Sequence, residues 1–226
     1  MARDILTSLF FIIMTVAFFA LGLKLNKKFK IAALNPIMIS AFLIIILLSV
    51  FKIPYEKYNM GGKVIAGALG PIVVVLAIPL YKNREELKKN FIPIVGGVTA
   101  SILASFASVI ALCRLFNIDR TIFLSLLSKS ITTPMAVEST KLLGGNEAVT
   151  IASVVITGLI GSAVAPMVMK AGKIKNNVAK GIGIGASSHA LGTSKAVEMD
   201  EEVGAASGLA IGVTGLMTII FIIIFA

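Results

Sequence analysis

The chain has 226 residues, of which 57% are hydrophobic and 14% charged, and it carries a formal net charge of +10. A soluble domain holds about 25% charged residues, so water cannot be the solvent for most of this surface. The positive charge does not indicate nucleic acid, because the lysines and arginines sit in short stretches beside apolar runs, where they set orientation and meet anionic membrane lipid.

Apolar runs occupy residues 5–23, 31–51, 91–112, 149–169 and 203–226. Each is close to the ~20 residues that cross ~30 Å of hydrocarbon. They predict an all-α, polytopic transmembrane helical bundle filling one integral membrane domain over residues 1–226. The first run follows Met1-Ala2-Arg3-Asp4. It reads as a retained span and not a signal peptide, since Asp4 offsets Arg3 and a strongly basic stretch follows the run directly.

Basic clusters punctuate the chain at Lys24/Lys27/Lys28/Lys30, Lys82/Arg84/Lys88/Lys89 and Lys170/Lys173/Lys175/Lys180. All three belong on the cytoplasmic side. Were every apolar segment to cross once, the third cluster would lie opposite the first two, so one segment must fail to cross. Residues 121–143 are that segment, because polar groups interrupt their apolar pattern in the middle, and broken backbone at membrane depth survives only inside protein or a wet cavity. A re-entrant segment there puts the acidic cluster Glu198/Asp200/Glu201/Glu202 outside, the amino terminus outside and the carboxyl terminus inside. A faint alignment of residues 52–70 with 173–192 adds candidate inverted repeats at about 31–115 and 149–226. The stretch around Gly70 and Pro71 reads as a broken helix mirroring one around His189.

Two segments hold most of the polar residues at membrane depth. In KSITTPMAVESTKLLGG (129–145), Pro134 fits the first turn of a helix that Thr132 or Thr133 would cap. Free N–H groups, a positive dipole end, two hydroxyls and the Lys129 ammonium would then meet at one anion-binding spot. Glu138, one turn on, would pair with Lys129 or carry a coupling proton. As a bland alternative, Pro134 kinks a spanning helix and Lys129 snorkels. Ionisable groups at this depth are costly without a role, which favours the functional reading.

In KGIGIGASSHALGTSKAVE (180–198), small residues surround the only histidine. Ser187, Ser188, His189 and Thr193 supply donors and acceptors, and Gly192 marks a second helix break. Gly181, Gly183 and Gly185 read as a packing seam. His189 is a second candidate for the coupling proton, its ordinary pKa of about 6.5 suiting that role. Lys195 is either a further cation at the site or an interfacial anchor. The two breaks are expected to face each other near the midplane, around a polar pocket containing Thr133, Ser188 and His189.

Nothing in the remaining sequence resembles an enzyme or calls for a cofactor. One histidine and the lone Cys113 leave no zinc or cysteine-rich metal site, and neither a nucleophile elbow nor a Walker loop is present.

The stretches KSITTPMAVESTKLLGG, VVITGLIGSAVAP and GIGIGASSHALGTSKAVE, in that order, resemble the hallmark sequence of the LrgB/CidB family, as does the upstream GGKVIAGALGPIVVVLAIPLYKN. The resemblance runs from about Pro36 to the end. It implies a multi-pass protein of the bacterial inner membrane, made beside a smaller holin-like LrgA/CidA membrane partner and linked to autolysis and murein hydrolase control. It also implies similarity to a plastid glycolate/glycerate transporter and to relatives associated with pyruvate uptake. Two functions follow as expectations: secondary transport of small carboxylates, proton-coupled, by a homo-oligomer; or an antiholin-like regulator acting with the partner.

Overall fold

The computed structural model describes residues 2–29, 36–68, 71, 77–82 and 84–225. Its described elements are helices, grouped in two compact units, Met1–Ile72 and Val73–Ala226.

The first unit contains α1 (Ala2–Phe29), α2 (Pro36–Val50) and α3 (Tyr55–Ala66). Asp4 in the first turn of α1 and Lys27 and Lys28 in its last oppose the helix dipole at the correct ends. Phe11, Met14 and Ile44 are the buried core between α1 and α2. Gly61 lets α3 lie directly on α1, since a Cβ there would stand 2.8 Å from the Ser8 carbonyl oxygen. Leu69 and Gly70, where a broken helix is expected, lie outside the described residues.

The second unit contains α4 (Ala77–Lys82), α5 (Arg84–Lys89), α6 (Phe91–Leu115), α7 (Arg120–Leu126), α8 (Thr133–Leu143), α9 (Glu147–Ala171), α10 (Asn177–Met199) and α11 (Glu201–Phe225). Of these, α6, α9 and α11 are long and apolar enough to cross a membrane, as is α1 in the first unit. The protein is a multi-pass membrane protein.

Helices α7 and α8 do not cross. They are too short, and their hydrogen bonds close a hairpin: the Asn146 N–H donates to Ser125 Oγ at 2.7 Å, and Ser128 Oγ donates to the Ala136 carbonyl at 3.3 Å. A ladder of hydroxyls runs from Ser128 to Thr140 at 3.2 Å and on from Thr140 to Thr150 of α9 at 2.8 Å. Asp119 caps α7 by accepting the Thr121 N–H at 2.8 Å. That bond holds the exposed carboxyl below its usual pKa, so the cap is intact above the ordinary carboxylate range and is lost only as pH falls through the lowered value. The expected re-entrant segment is therefore present.

A second re-entrant hairpin, unforeseen, lies in α10. A straight helix of 23 residues would separate its ends by ~34 Å. Instead Asn177 Nδ2 donates to the carboxylates of both Asp200 (3.4 Å) and Glu202 (3.0 Å). The reversal is at His189, at φ 42° and ψ −139°, a region that residues with a Cβ rarely occupy. The break therefore falls at His189 and not at Gly192. Gly192 lies in the returning leg, where a Cβ would stand 2.5 Å from Ser188 Cβ and 3.0 Å from an Ile184 methyl.

This reversal corrects the expected topology. Asn90 and Asn176 line one cavity, so Lys88 and Lys175 share a face as expected. The acidic cluster shares it too, because α10 returns to the side it left. With α11 then crossing once, the carboxyl terminus ends on the opposite face from Lys88. The expectation failed because it counted the segment holding His189 as a crossing.

Helices α2, α6 and α9 end alike, with Lys52, Asn117 and Lys173 at φ 49°, 50° and 52°. The N–H of the isoleucine that follows each reaches back five residues, as Ile53 to Leu48 and Ile118 to Cys113, both at 2.9 Å, and Ile174 to Met169 at 3.0 Å. The letters that align residue 52 with residue 173 thus report a shared way of stopping a helix. The arrangement that does recur is a span followed by a hairpin: α6 with α7 and α8, then α9 with α10, in opposite directions.

On a Cys113→Ala background, cysteines placed at positions 88, 175 and 201 will react with an impermeant thiol reagent from one side of the membrane, and position 141 from the other. Labelling of 201 together with 141 would mean that α10 crosses.

Candidate functional site at the meeting of two hairpins

Both hairpin tips end at the middle of the spanning helices. On α6, Ser101 and Ser105 lie one turn apart on one face. Ser101 Oγ donates to the Ala186 carbonyl at 3.3 Å, one turn before the His189 reversal. Ser105 Oγ meets Ser130 Oγ at 3.2 Å and accepts from Lys129 Nζ at 3.2 Å. On α9, Val154 packs with Ile131, Met135 and Ala136 of the first hairpin, while its carbonyl accepts from His189 Nε2 at 2.9 Å. The two breaks therefore converge on Val154, from opposite faces.

Each tip joins the carboxyl end of an entering leg to the amino end of a returning one. Helix α8 starts at the first tip with Pro134 in its opening turn, and the returning leg of α10 starts at the second tip after His189. Both begin at mid-depth, so the positive dipole ends of two half-helices lie at the tips. Lys129 adds a cation with no acidic partner among the described residues.

Thr132 is the N-cap residue of α8, but its side chain makes no capping bond. The residue is 7% exposed, and among the described residues its Oγ1 has no hydrogen-bond partner. Thr133 is half-buried beside it. At the other tip, Ser188 is 2% and His189 4% exposed. Ser187 is exposed and bonds the Gly183 carbonyl at 2.7 Å and Ser188 Oγ at 3.0 Å. Thr193 Oγ1 donates to the His189 carbonyl at 3.0 Å and meets Ser207 Oγ at 2.6 Å.

Ser188 and His189, expected in a polar pocket with Thr133, are packed against α9. Gly158 of α9 leaves room for the imidazole, where a Cβ would stand 2.5 Å from His189 Cε1; Gly161 leaves room for Ser188 Oγ. Two candidates from the sequence pair with neighbours on their own helices. Glu138 pairs with Lys141 at 2.9 Å rather than with Lys129, because one helical turn brings them together. Lys195 pairs with Glu198 at 2.9 Å. The sequence reading overlooked Ser101, Ser105, Gly158 and Gly161, although a serine pair and a glycine pair at helical spacing on apolar spans were visible signals.

A profile of the LrgB-like family matches residues 15–226. The chain belongs to the LrgB-like family. It is 36% identical to the holin-like protein CidB of Staphylococcus aureus, over 97% of this chain and 96% of the relative. It is 33% identical to the CidB of Staphylococcus epidermidis over the same shares, 97% and 96%. With the protein YxaC of Bacillus subtilis it shares 40% identity over 84% of this chain and 83% of the relative. No solved structure matches. For this LrgB-like chain the three downstream motif stretches quoted from the sequence map onto the two hairpins and the span between them.

Because the Thr132 hydroxyl is buried without a partner, Thr132→Val will leave thermal stability in detergent unchanged or raise it by about 1–3 kcal/mol. Thr140→Val removes bonds to Ser128 and Thr150 and will lower stability by about 1–2 kcal/mol. Equal losses in both variants would mean that Thr132 has a structural bond.

Proposed function

We propose that this protein is a secondary transporter of small organic carboxylates of the glycolate, glycerate or pyruvate type, working in the bacterial cytoplasmic membrane without covalent catalysis. The observation that carries this reading is the convergence of two half-helix amino termini at mid-depth beside a buried, unpartnered threonine hydroxyl. Such ends attract an anion, and discontinuous helices meeting at the midplane are the recurrent binding device of secondary transporters. Strained backbone of the kind seen at His189 concentrates at ligand sites and switches.

The carboxylate accepts from the first N–H groups of α8 and from Thr132 and Thr133, with Lys129 supplying charge. Ser187 and Ser188 take the hydroxyl or keto oxygen, and Thr193 braces the His189 backbone. Because His189 Nε2 donates to the Val154 carbonyl, Nδ1 is the nitrogen left to accept a proton. Glu138 is engaged by Lys141, so the coupling role passes to His189. Hydroxyls and one half-desolvated lysine give charge-assisted bonds without a full buried ion pair, and the resulting weak, reversible binding suits a carrier.

Entry is from the basic face. A cavity of about 470 Å³ opens there between the starts of α6 and α10, lined by Asn90, Asn176, Gly97 and Ile182. It ends where Ile182 fills the space beside Gly97, one turn before the Ser101–Ala186 contact. Lysines 88, 89, 173 and 175 around this face would steer anions toward it.

A second reading has its own support, since two of the relatives are named holin-like proteins. In it the chain regulates murein hydrolase activity and autolysis by assembling with a smaller LrgA/CidA-like membrane protein.

Purified protein in proteoliposomes will take up labelled glycolate, pyruvate or lactate saturably, and faster with an inward pH gradient. Lys129→Gln will weaken apparent affinity roughly tenfold or more, from loss of a charge-assisted bond. His189→Gln will keep substrate binding but lose the response to the pH gradient. Protein that moves no carboxylate alone, yet opens a pore with an LrgA-like partner, would establish the second reading.

A further inference from the structure

The first unit carries a groove that neither reading uses. It has a volume of about 500 Å³ and is lined by Leu6, Thr7, Phe10, Phe11, Phe51, Lys52, Ile53, Pro54 and Lys57. Its composition changes with depth. Leu6 and Phe10 lie in the opening turns of α1, just inside the end of a span that begins at Asp4, and they are 67% and 59% exposed. Phe51, at the end of the apolar helix α2, is 70% exposed. These three large apolar faces sit at the level where acyl chains begin.

The polar rim is cationic. Lys52 and Lys57 are both exposed, and among the described residues neither has an acidic partner. Lys52 is held in place by the helix stop of α2, at φ 49°, with its N–H bonded to the Ser49 carbonyl at 3.2 Å. Lys57 sits in the first turn of α3, whose N-cap residue is Pro54 and which has no side-chain cap. Two ammonium groups and an open helix amino terminus thus border an apolar trough at the membrane boundary.

We infer that this groove binds one anionic phospholipid, with its phosphodiester between Lys52 and Lys57 and an acyl chain along Leu6, Phe10 and Phe51. A free phosphate would leave the aromatic trough bare, and a zwitterionic lipid would bring its own cation against the two lysines. A basic residue at a membrane surface contributes about 1 kcal/mol toward anionic lipid, so two lining one groove discriminate by roughly 30-fold. The site depends only on the first unit and does not require the chain to transport anything.

The test uses the full chain, purified from bacterial membranes and titrated in phosphatidylcholine nanodiscs with phosphatidylglycerol, with bound lipid read by native mass spectrometry. Wild-type protein will retain one phosphatidylglycerol. The Lys52→Gln/Lys57→Gln variant will bind it about 30-fold more weakly, while Lys24→Gln/Lys63→Gln, with the same loss of charge elsewhere in the unit, will bind as wild type. Phe10→Ser will weaken retention with both lysines intact. Equal retention by the two double variants, or equal retention of phosphatidylcholine and phosphatidylglycerol by the wild type, would overturn the assignment. So would competition by inorganic phosphate alone at millimolar concentration, since the acyl contacts would then contribute nothing.

Discussion

A helix that stops inside a membrane leaves backbone groups with no water to satisfy them, each costing several kcal/mol. This protein has two such stops, and most of the second unit follows from enclosing them. The first hairpin answers the constraint with side chains: Ser125, Ser128, Thr140 and Thr150 are all buried, and each bonds either backbone or a neighbouring hydroxyl. The second answers it with close approach. Glycines at 181 and 185 let the outgoing leg press against the backbone of α11, where a Cβ would strike the Val203 and Ser207 carbonyls.

The same enclosure holds His189 in its strained conformation. A residue with a Cβ at φ 42° and ψ −139° costs of the order of 1–3 kcal/mol and persists only where its surroundings over-determine it. Here the imidazole is fixed at one end by the Val154 carbonyl and laid in the space left by Gly158. Val154 also packs on Ile131 and Ala136, so a shift of the histidine is felt at the other tip through one residue. The two hairpins form one mechanical unit although they enter from opposite faces.

How much of this was legible follows from the residues that make each turn. The first hairpin announces itself because Lys129, Thr132, Thr133 and Pro134 break an apolar run with charge, caps and a missing donor. The second reversal is made by a histidine among glycines, alanines and serines, a composition that suits a straight packing helix equally well. Only tertiary contacts push it into positive φ. That one residue decides whether the segment crosses, which is why the acidic cluster and the carboxyl terminus were expected on the wrong faces. The site suffered less, because Thr132, Thr133, Ser188 and His189 sit at the tips whichever way the second leg returns. Glu138 pairs with Lys141 and not with Lys129 for a local reason: a lysine three residues on in a helix competes better than one across a broken tip.

In the transport reading, the sign of the ligand depends on the charged groups beside the two tips. Each hairpin goes into the membrane by one leg and comes back by another, and in each the leg that starts at mid-depth presents its amino end there. The entering legs bring their carboxyl ends to the same tips, so the half-helix dipoles alone do not choose between an anion and a cation. Lys129 has no acidic partner among the described residues and Glu138 is held by Lys141, so in the transport reading the balance at the tips favours a carboxylate. Opposed entry also gives each hairpin control over one face only. In the transport reading, loosening the second hairpin from Gly158 and Gly161 uncovers the centre toward the basic face while the first still seals the other. A carrier must keep those two events separate, and a fold in which the two seals are different segments of chain keeps them separate by construction.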